Sequence, residues 1–159
     1  MSDTKRTVCF TGHREIVHPN IASMLDTLLT RLVKNDYRYF RVGGALGFDT
    51  EAALSVLRVQ EKHPQIKLIL VLPYPAQAKA WSADEQEMYE DIKSRAEKII
   101  YTSESYKRGC FHIRNRSLVD EAAVCVSYLV KHEGGTAYTV GYARKKGIET
   151  INIAQGTAS

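Results

Sequence analysis

The chain has 159 residues, 44% hydrophobic and 25% charged, a balance that excludes a disordered or low-complexity protein and fits one globular domain spanning residues 1–159. A formal net charge of +4 gives a mild attraction for phosphates without the concentrated basic footprint of a dedicated nucleic-acid binder. Three cysteines without a CxxC pair exclude a disulfide framework and a zinc site, and no apolar run is long enough to span a bilayer.

Residues 1–6 lack the apolar core of a signal peptide, so a cytoplasmic location is expected. Thr7–Phe10 then reads as a buried strand. Pro19 suits a first helical turn, and Ile21, Leu25, Leu28, Leu29 and Leu32 form the apolar stripe of the first helix. Tyr39–Val42 is a second strand, running into a glycine-rich turn. The helix behind that turn carries Ala52, Ala53, Val56 and Leu57 and stops before Pro64. Ile66–Leu72 is a strongly apolar third strand. Ser82 and Glu85 have the spacing of a capping box, so the acids that follow read as the start of a solvated helix. Lys98–Tyr101, Ala123–Tyr128 and Thr150–Ile153 complete the strands. Helices are expected over Phe111–Glu121 and Thr136–Lys146, with a frayed tail from Gln155 to Ser159. Cys9 and Cys125 fall in strands and Cys110 in a polar loop.

Strands and helices alternate throughout, and several strands are continuously apolar. That pattern predicts an α/β, Rossmann-like three-layer sandwich with a mostly parallel sheet of about six strands. Right-handed crossovers gather the loops after the strands along one sheet edge, where open α/β folds bind ligands.

Three of those loops are rich in glycine, which lets backbone N–H groups approach an anion closely. In the first, Gly12 permits a tight turn, and His13 and Arg14 offer donors to a phosphate; Arg14 could instead cap a neighbouring helix. In the second, Gly43, Gly44, Ala45 and Gly47 could cradle a phosphate or its ribose. Asp49 and Glu51 would repel a phosphate there, so Asp49 reads as a helix N-cap or as an acceptor for sugar hydroxyls. In the third, Gly134, Gly135 and Thr136 form either an anion pocket or a tight turn with Thr136 as N-cap. A polar cluster, His112, Arg114, Asn115 and Arg116, adds donors for a phosphate or a base edge. At helical spacing His112, Asn115 and Arg116 share one face, the pattern also of a solvated basic helix start. Neither GxGxxG nor GxxxxGK[ST] is present.

Taken together, Gly43-Gly44-Ala45-Leu46-Gly47-Phe48-Asp49, Phe111-x-x-Arg114-Asn115-Arg116, and Gly134-Gly135-Thr136 with Thr139 and Ala143 resemble the SLOG superfamily of Rossmann-like domains. Thr11-Gly12-His13-Arg14 and the overall length are most similar to its YpsA-like branch. The resemblance spans roughly residues 5–153 and implies a nucleotide or nucleotide-derived ligand at the carboxyl edge of the sheet; no cofactor or metal is expected, and the exposed helix faces could support a homodimer, as in many related Rossmann-like proteins. The superfamily includes the LOG phosphoribohydrolases, whose PGGxGTxxE pattern ends in a catalytic glutamate. On this chain that position is Gly141, and the proline position is Glu133, which leaves Glu133 or Asp49 as substitute general bases. It also includes DNA-processing protein A, which implies single-stranded DNA as another partner, with Tyr106, Lys107, Arg108 and Phe111 as candidate contacts. The expectation that follows is a sensor or regulatory module; a phosphoribohydrolase and a single-strand DNA binder are the alternatives.

Overall fold

The structure, a computed structural model, describes residues 3–155. Its elements are β1 (Thr7–Gly12), α1 (Ile21–Lys34), β2 (Tyr39–Val42), α2 (Phe48–Gln60), β3 (Lys67–Leu72), α3 (Ala83–Arg95), β4 (Lys98–Tyr101), α4 (Cys110–Asp120), β5 (Val124–Tyr128), α5 (Gly135–Lys145) and β6 (Glu149–Asn152). Short 3-10 turns, Thr4–Arg6 and Ile153–Gln155, close the two ends.

The six strands form one sheet in the order β4-β3-β2-β1-β5-β6, parallel throughout. Successive side chains point to opposite faces of it. Val8, Phe10, Phe40, Val42, Leu68 and Leu70 pack on one side with α1, α2 and Tyr89 and Ile92 of α3. Cys9, Val71 and Cys125 pack on the other with Leu118 and Val119 of α4 and Ala143 of α5. The result is the expected Rossmann-like three-layer sandwich. The chain reverses direction across the sheet between β1 and β5, so the topological switch point lies at their carboxyl ends.

The elements differ from the sequence expectation in several details; Pro19, for one, precedes the Asn20 N-cap of α1 instead of lying in its first turn. Helix α4 starts at Cys110, and that thiol is fully buried at the helix start rather than lying in a polar loop. Gln155 ends a 3-10 turn, while the rest of the expected frayed tail lies outside the described residues.

Candidate functional site at the carboxyl edge of the sheet

The loop from β2 to α2 is organised by its own acid. The Ala45 N–H donates to Asp49 Oδ2 at 3.0 Å, so the Asp49 carboxylate closes the glycine turn. Gly47 holds the N-cap position that Asp49 was expected to fill, and Asp49 is the second residue of α2. Asp49 is buried, and its Oδ1 has no hydrogen-bond partner among the described residues. Burial pushes this carboxyl up to about 6, against the lowering influence of the Arg114 charge and the Ala45 amide.

Arg114, from α4, reaches the same place. It is buried, donates from Nη1 to the Gly43 carbonyl and from Nε to Asn115 Oδ1 at 2.8 Å. A Cβ on Gly43 would stand 3.0 Å from Asp49 Oδ2 and 3.1 Å from Arg114 Nη1, so a side chain there would press both groups outward by a few tenths of an ångström. Asn115 is buried beside Arg114, and its Nδ2 lies 3.8 Å from where a Cβ on Gly135 would be. One polar core thus runs from Asp49 through Gly43 and Arg114 to Asn115, whose amide lies in van der Waals range of the start of α5.

The first glycine loop is used differently from the expectation. Gly12 is the last residue of β1 rather than a tight turn, and a Cβ there would collide with Phe48 at 2.4 Å. Phe48 is stacked on buried Tyr128 (5.7 Å, 17°), whose hydroxyl accepts from the Val17 N–H and pairs with His18 Nδ1 at 2.7 Å. His13 Nε2 accepts the N–H groups of Val130 and Lys131 at 3.0 and 3.1 Å. Burial and the Lys131 charge lower its pKa, which suits the neutral, accepting imidazole. The His13 ring therefore ties the β1 and β5 loops together across the switch point, and this accepting nitrogen is no donor for a phosphate. Arg14 is exposed and lies 3.9 Å from Glu85 Oε2; a Cβ on Gly47 would strike the Arg14 backbone.

The third loop is open. Gly134 is the N-cap of α5 and makes no side-chain cap hydrogen bond, so the first amides of α5 lack a side-chain acceptor from that position. Gly134 and Gly135 are exposed with space around them. Thr136, expected as the N-cap, is instead the second residue of the helix and is buried. Glu133 is exposed in the turn ahead of it. The expected common face of His112, Asn115 and Arg116 is split. His112 lies against the Tyr138 ring (4.2 Å between centroids), and Arg116 Nη1 donates to the Tyr138 hydroxyl at 2.8 Å, whereas Asn115 turns inward.

Tyr74 and a cavity beside α3 had no place in the sequence-based site. Tyr74, after β3, groups with Tyr106 and Phe111, the rings 5.9 to 6.4 Å apart. A cavity of about 460 Å³ opens between the Gly44–Asp49 turn and α3, with Arg14, Trp81 and Met88 at its walls. Gln77 fixes this side of the loop by donating to the Gly44 carbonyl (3.2 Å) and the Tyr89 hydroxyl (3.0 Å). Among the described residues no cluster of His, Cys, Asp or Glu could hold a metal ion, and no helix is long and apolar enough to cross a membrane.

With this geometry established, the chain can be compared with known proteins. A family model described as the YspA SLOG family matches residues 8–155. The chain is 31% identical over 137 residues to the SPbeta prophage-derived protein YoqJ of Bacillus subtilis, covering 79% of this chain and 78% of that one. Among solved structures it is similar to DNA processing protein A of Streptococcus pneumoniae (TM-score 0.68, 17% identity, 92% of this chain and 49% of that one). It is similar also to DNA processing protein A of Helicobacter pylori, solved for its single-stranded DNA binding mode (TM-score 0.69, 22% identity, 93% of this chain and 65% of that one). The chain therefore spans half to two thirds of these two structures, and the likeness to them is one of fold.

Proposed function

Because the chain belongs to the YspA SLOG family, we propose that it binds a nucleotide or nucleotide-derived ligand at the carboxyl edge of its sheet, as a cytoplasmic sensor or regulatory module. The observation that carries this reading is the polar core joining Asp49, Gly43, Arg114 and Asn115 to the uncapped, exposed start of α5. Exposed amides at a helix N-terminus, with the positive end of the dipole behind them, suit a phosphate. Arg114 holds the second glycine loop, and Asn115 beside it lies in van der Waals range of the start of α5. Binding is favoured over base hydrolysis because Gly141 stands where the LOG pattern carries its catalytic glutamate. Of the two substitute acids, Glu133 is exposed in the bend before α5, and Asp49 is buried with one oxygen tied to the Ala45 amide.

Calorimetric titration with mononucleotides, dinucleotides and cyclic nucleotides tests the reading. Gly135→Asp is the informative variant, because it places a carboxylate where the phosphate would sit and leaves the packing intact. The expected outcome is saturable binding weakened at least tenfold by Gly135→Asp; no binding, or binding indifferent to that change, would refute it. Native mass spectrometry of the same samples reads whether the ligand-bound form is a monomer or a homodimer.

A second reading rests on the aromatic group beside α4. Tyr106 and Phe111 are 64% and 43% exposed, the Arg114 guanidinium lies 5.9 Å from the Phe111 ring, and Lys107 and Arg108 are exposed next to them. Exposed rings flanked by cations suit the stacking of successive single-stranded bases. This reading expects a mobility shift with oligo-dT at low salt that fades steeply as salt rises and is lost in Phe111→Ala. No shift at low salt would eliminate it.

A further inference from the structure

The cavity beside α3 has a chemistry unlike the start of α5. Its floor and walls are apolar: Trp81 and Tyr89 meet edge-to-face at 5.0 Å, and Met88 is 41% exposed at the opening. Its polar groups are mostly carboxylates, Asp49, Glu51, Asp84 and Glu85, against the single cation Arg14. Asp49 lines it with a buried carboxylate whose Oδ1 has no partner among the described residues. The walls are held rigidly. Gln77 ties Tyr89 to the glycine turn, Gln86 Nε2 donates to the carbonyls of Ala78, Lys79 and Trp81, and Ser82 and Glu85 form a complete capping box.

From this we infer that the cavity between the Gly44–Asp49 turn and α3 is a nucleoside subsite, taking the base and sugar of a ligand and excluding its phosphate. The inference deepens the nucleotide reading and rests on it. A volume of about 460 Å³ lies within the range of small-molecule sites. A planar base gains contact with the Trp81 ring and the adaptable Met88 thioether. Sugar hydroxyls and exocyclic amines are donors, and carboxylates are pure acceptors when ionised. A phosphate in the same space would face several like charges with one arginine to offset them.

Trp81 is the only tryptophan of the chain, so its emission reports on this cavity directly. The full-length protein is titrated with adenosine, guanosine, cytidine and uridine, and separately with ribose 5-phosphate and inorganic phosphate. The expected result is a saturable change in Trp81 emission with at least one phosphate-free nucleoside and none with the two phosphates. That response is expected to weaken about tenfold in Met88→Arg, which fills the mouth, and about fivefold in Glu85→Gln, which preserves the capping geometry. Gly135→Asp leaves it unchanged. A silent Trp81 with every nucleoside, a response restricted to phosphate-bearing compounds, or affinity unaltered by Met88→Arg and Glu85→Gln would each overturn the subsite. Nucleotide binding seen by calorimetry while Trp81 stays silent overturns the subsite alone. A Trp81 response to nucleosides, combined with nucleotide affinity indifferent to Gly135→Asp, supports the subsite and refutes phosphate binding at α5.

Discussion

The glycine loops on the two sides of the switch point look alike in sequence and are opposite in construction. Around β1 and β2, the missing side chains are replaced by the protein itself: Phe48 lies over Gly12, Leu72 over Gly44, and the Arg14 backbone over Gly47. Before α5, among the described residues and leaving aside the adjoining backbone, nothing stands within 4 Å of a Cβ placed on Gly134, and only Asn115 Nδ2 comes within that distance of one on Gly135. The difference teaches that a glycine-rich turn is not by itself a ligand cradle. In the first two loops glycine serves interlocking of the sheet edge, and in the third it leaves a helix terminus free.

The comparison breaks most readily at the glycines. Gly12→Ala puts a methyl group into the Phe48 ring, which Tyr128 prevents from moving, and is expected to cost about 3 kcal/mol or more in chemical denaturation. Gly135→Ala is expected to stay within about 1 kcal/mol of the parent, with a gain as readily as a loss, because alanine favours a helical first turn. Equal losses at the two positions would show that the loops are built alike.

Asp49 sharpens the same contrast through pH. Its folded carboxyl titrates at about 6, above the ordinary value of 3.8, so the folded state holds this proton more tightly than the unfolded one. Its contribution to stability is then greatest below the unfolded value, falls as pH rises from about 4 to 6, and is flat above. Asp49→Asn keeps an oxygen for the Ala45 amide and removes that fall. The variant should match the parent near pH 4 and exceed it at pH 7 by up to about 3 kcal/mol in denaturant titrations. A parent whose pH profile is unchanged by Asp49→Asn would show that the acid is not enclosed as described.

A smaller effect is expected at α3, which walls the cavity on the closed side. Ser82→Ala removes the acceptor for the Glu85 amide and should lower stability by about 1 kcal/mol, read as a drop in Tm, while leaving Gly135→Asp sensitivity untouched. Loss of nucleotide affinity at α5 in this variant would mean that the two sides of the edge are coupled.

Much of this fold was legible in the sequence because it depends on local signals. Apolar runs such as Leu68–Leu72 could only be buried strands, and the Ser82–Glu85 spacing corresponds to a capping box with both hydrogen bonds formed. The site was less legible because its contacts are long-range. Nothing near Gly12 in the chain announces Phe48, and nothing near His13 announces the amides of Val130 and Lys131. The inward turn of Arg114 and Asn115 did have a signal: Cys110, Leu118 and Val119 define the buried stripe of α4, and both residues fall on it. Helical spacing relates side chains to one another, but only the apolar positions show which side meets the sheet. Trp81 and Met88 gave no signal at all, since their roles as cavity walls depend on where α3 docks.

The central claim, that the open helix start and the polar core behind it hold a nucleotide, is tested most directly by amide chemical-shift mapping during titration with nucleoside monophosphates. The account predicts saturable shifts centred on Gly135, Thr136 and Asn115, extending to Gly43–Ala45 through Arg114. Shifts absent from α5, or scattered over surface lysines without saturation, would contradict it.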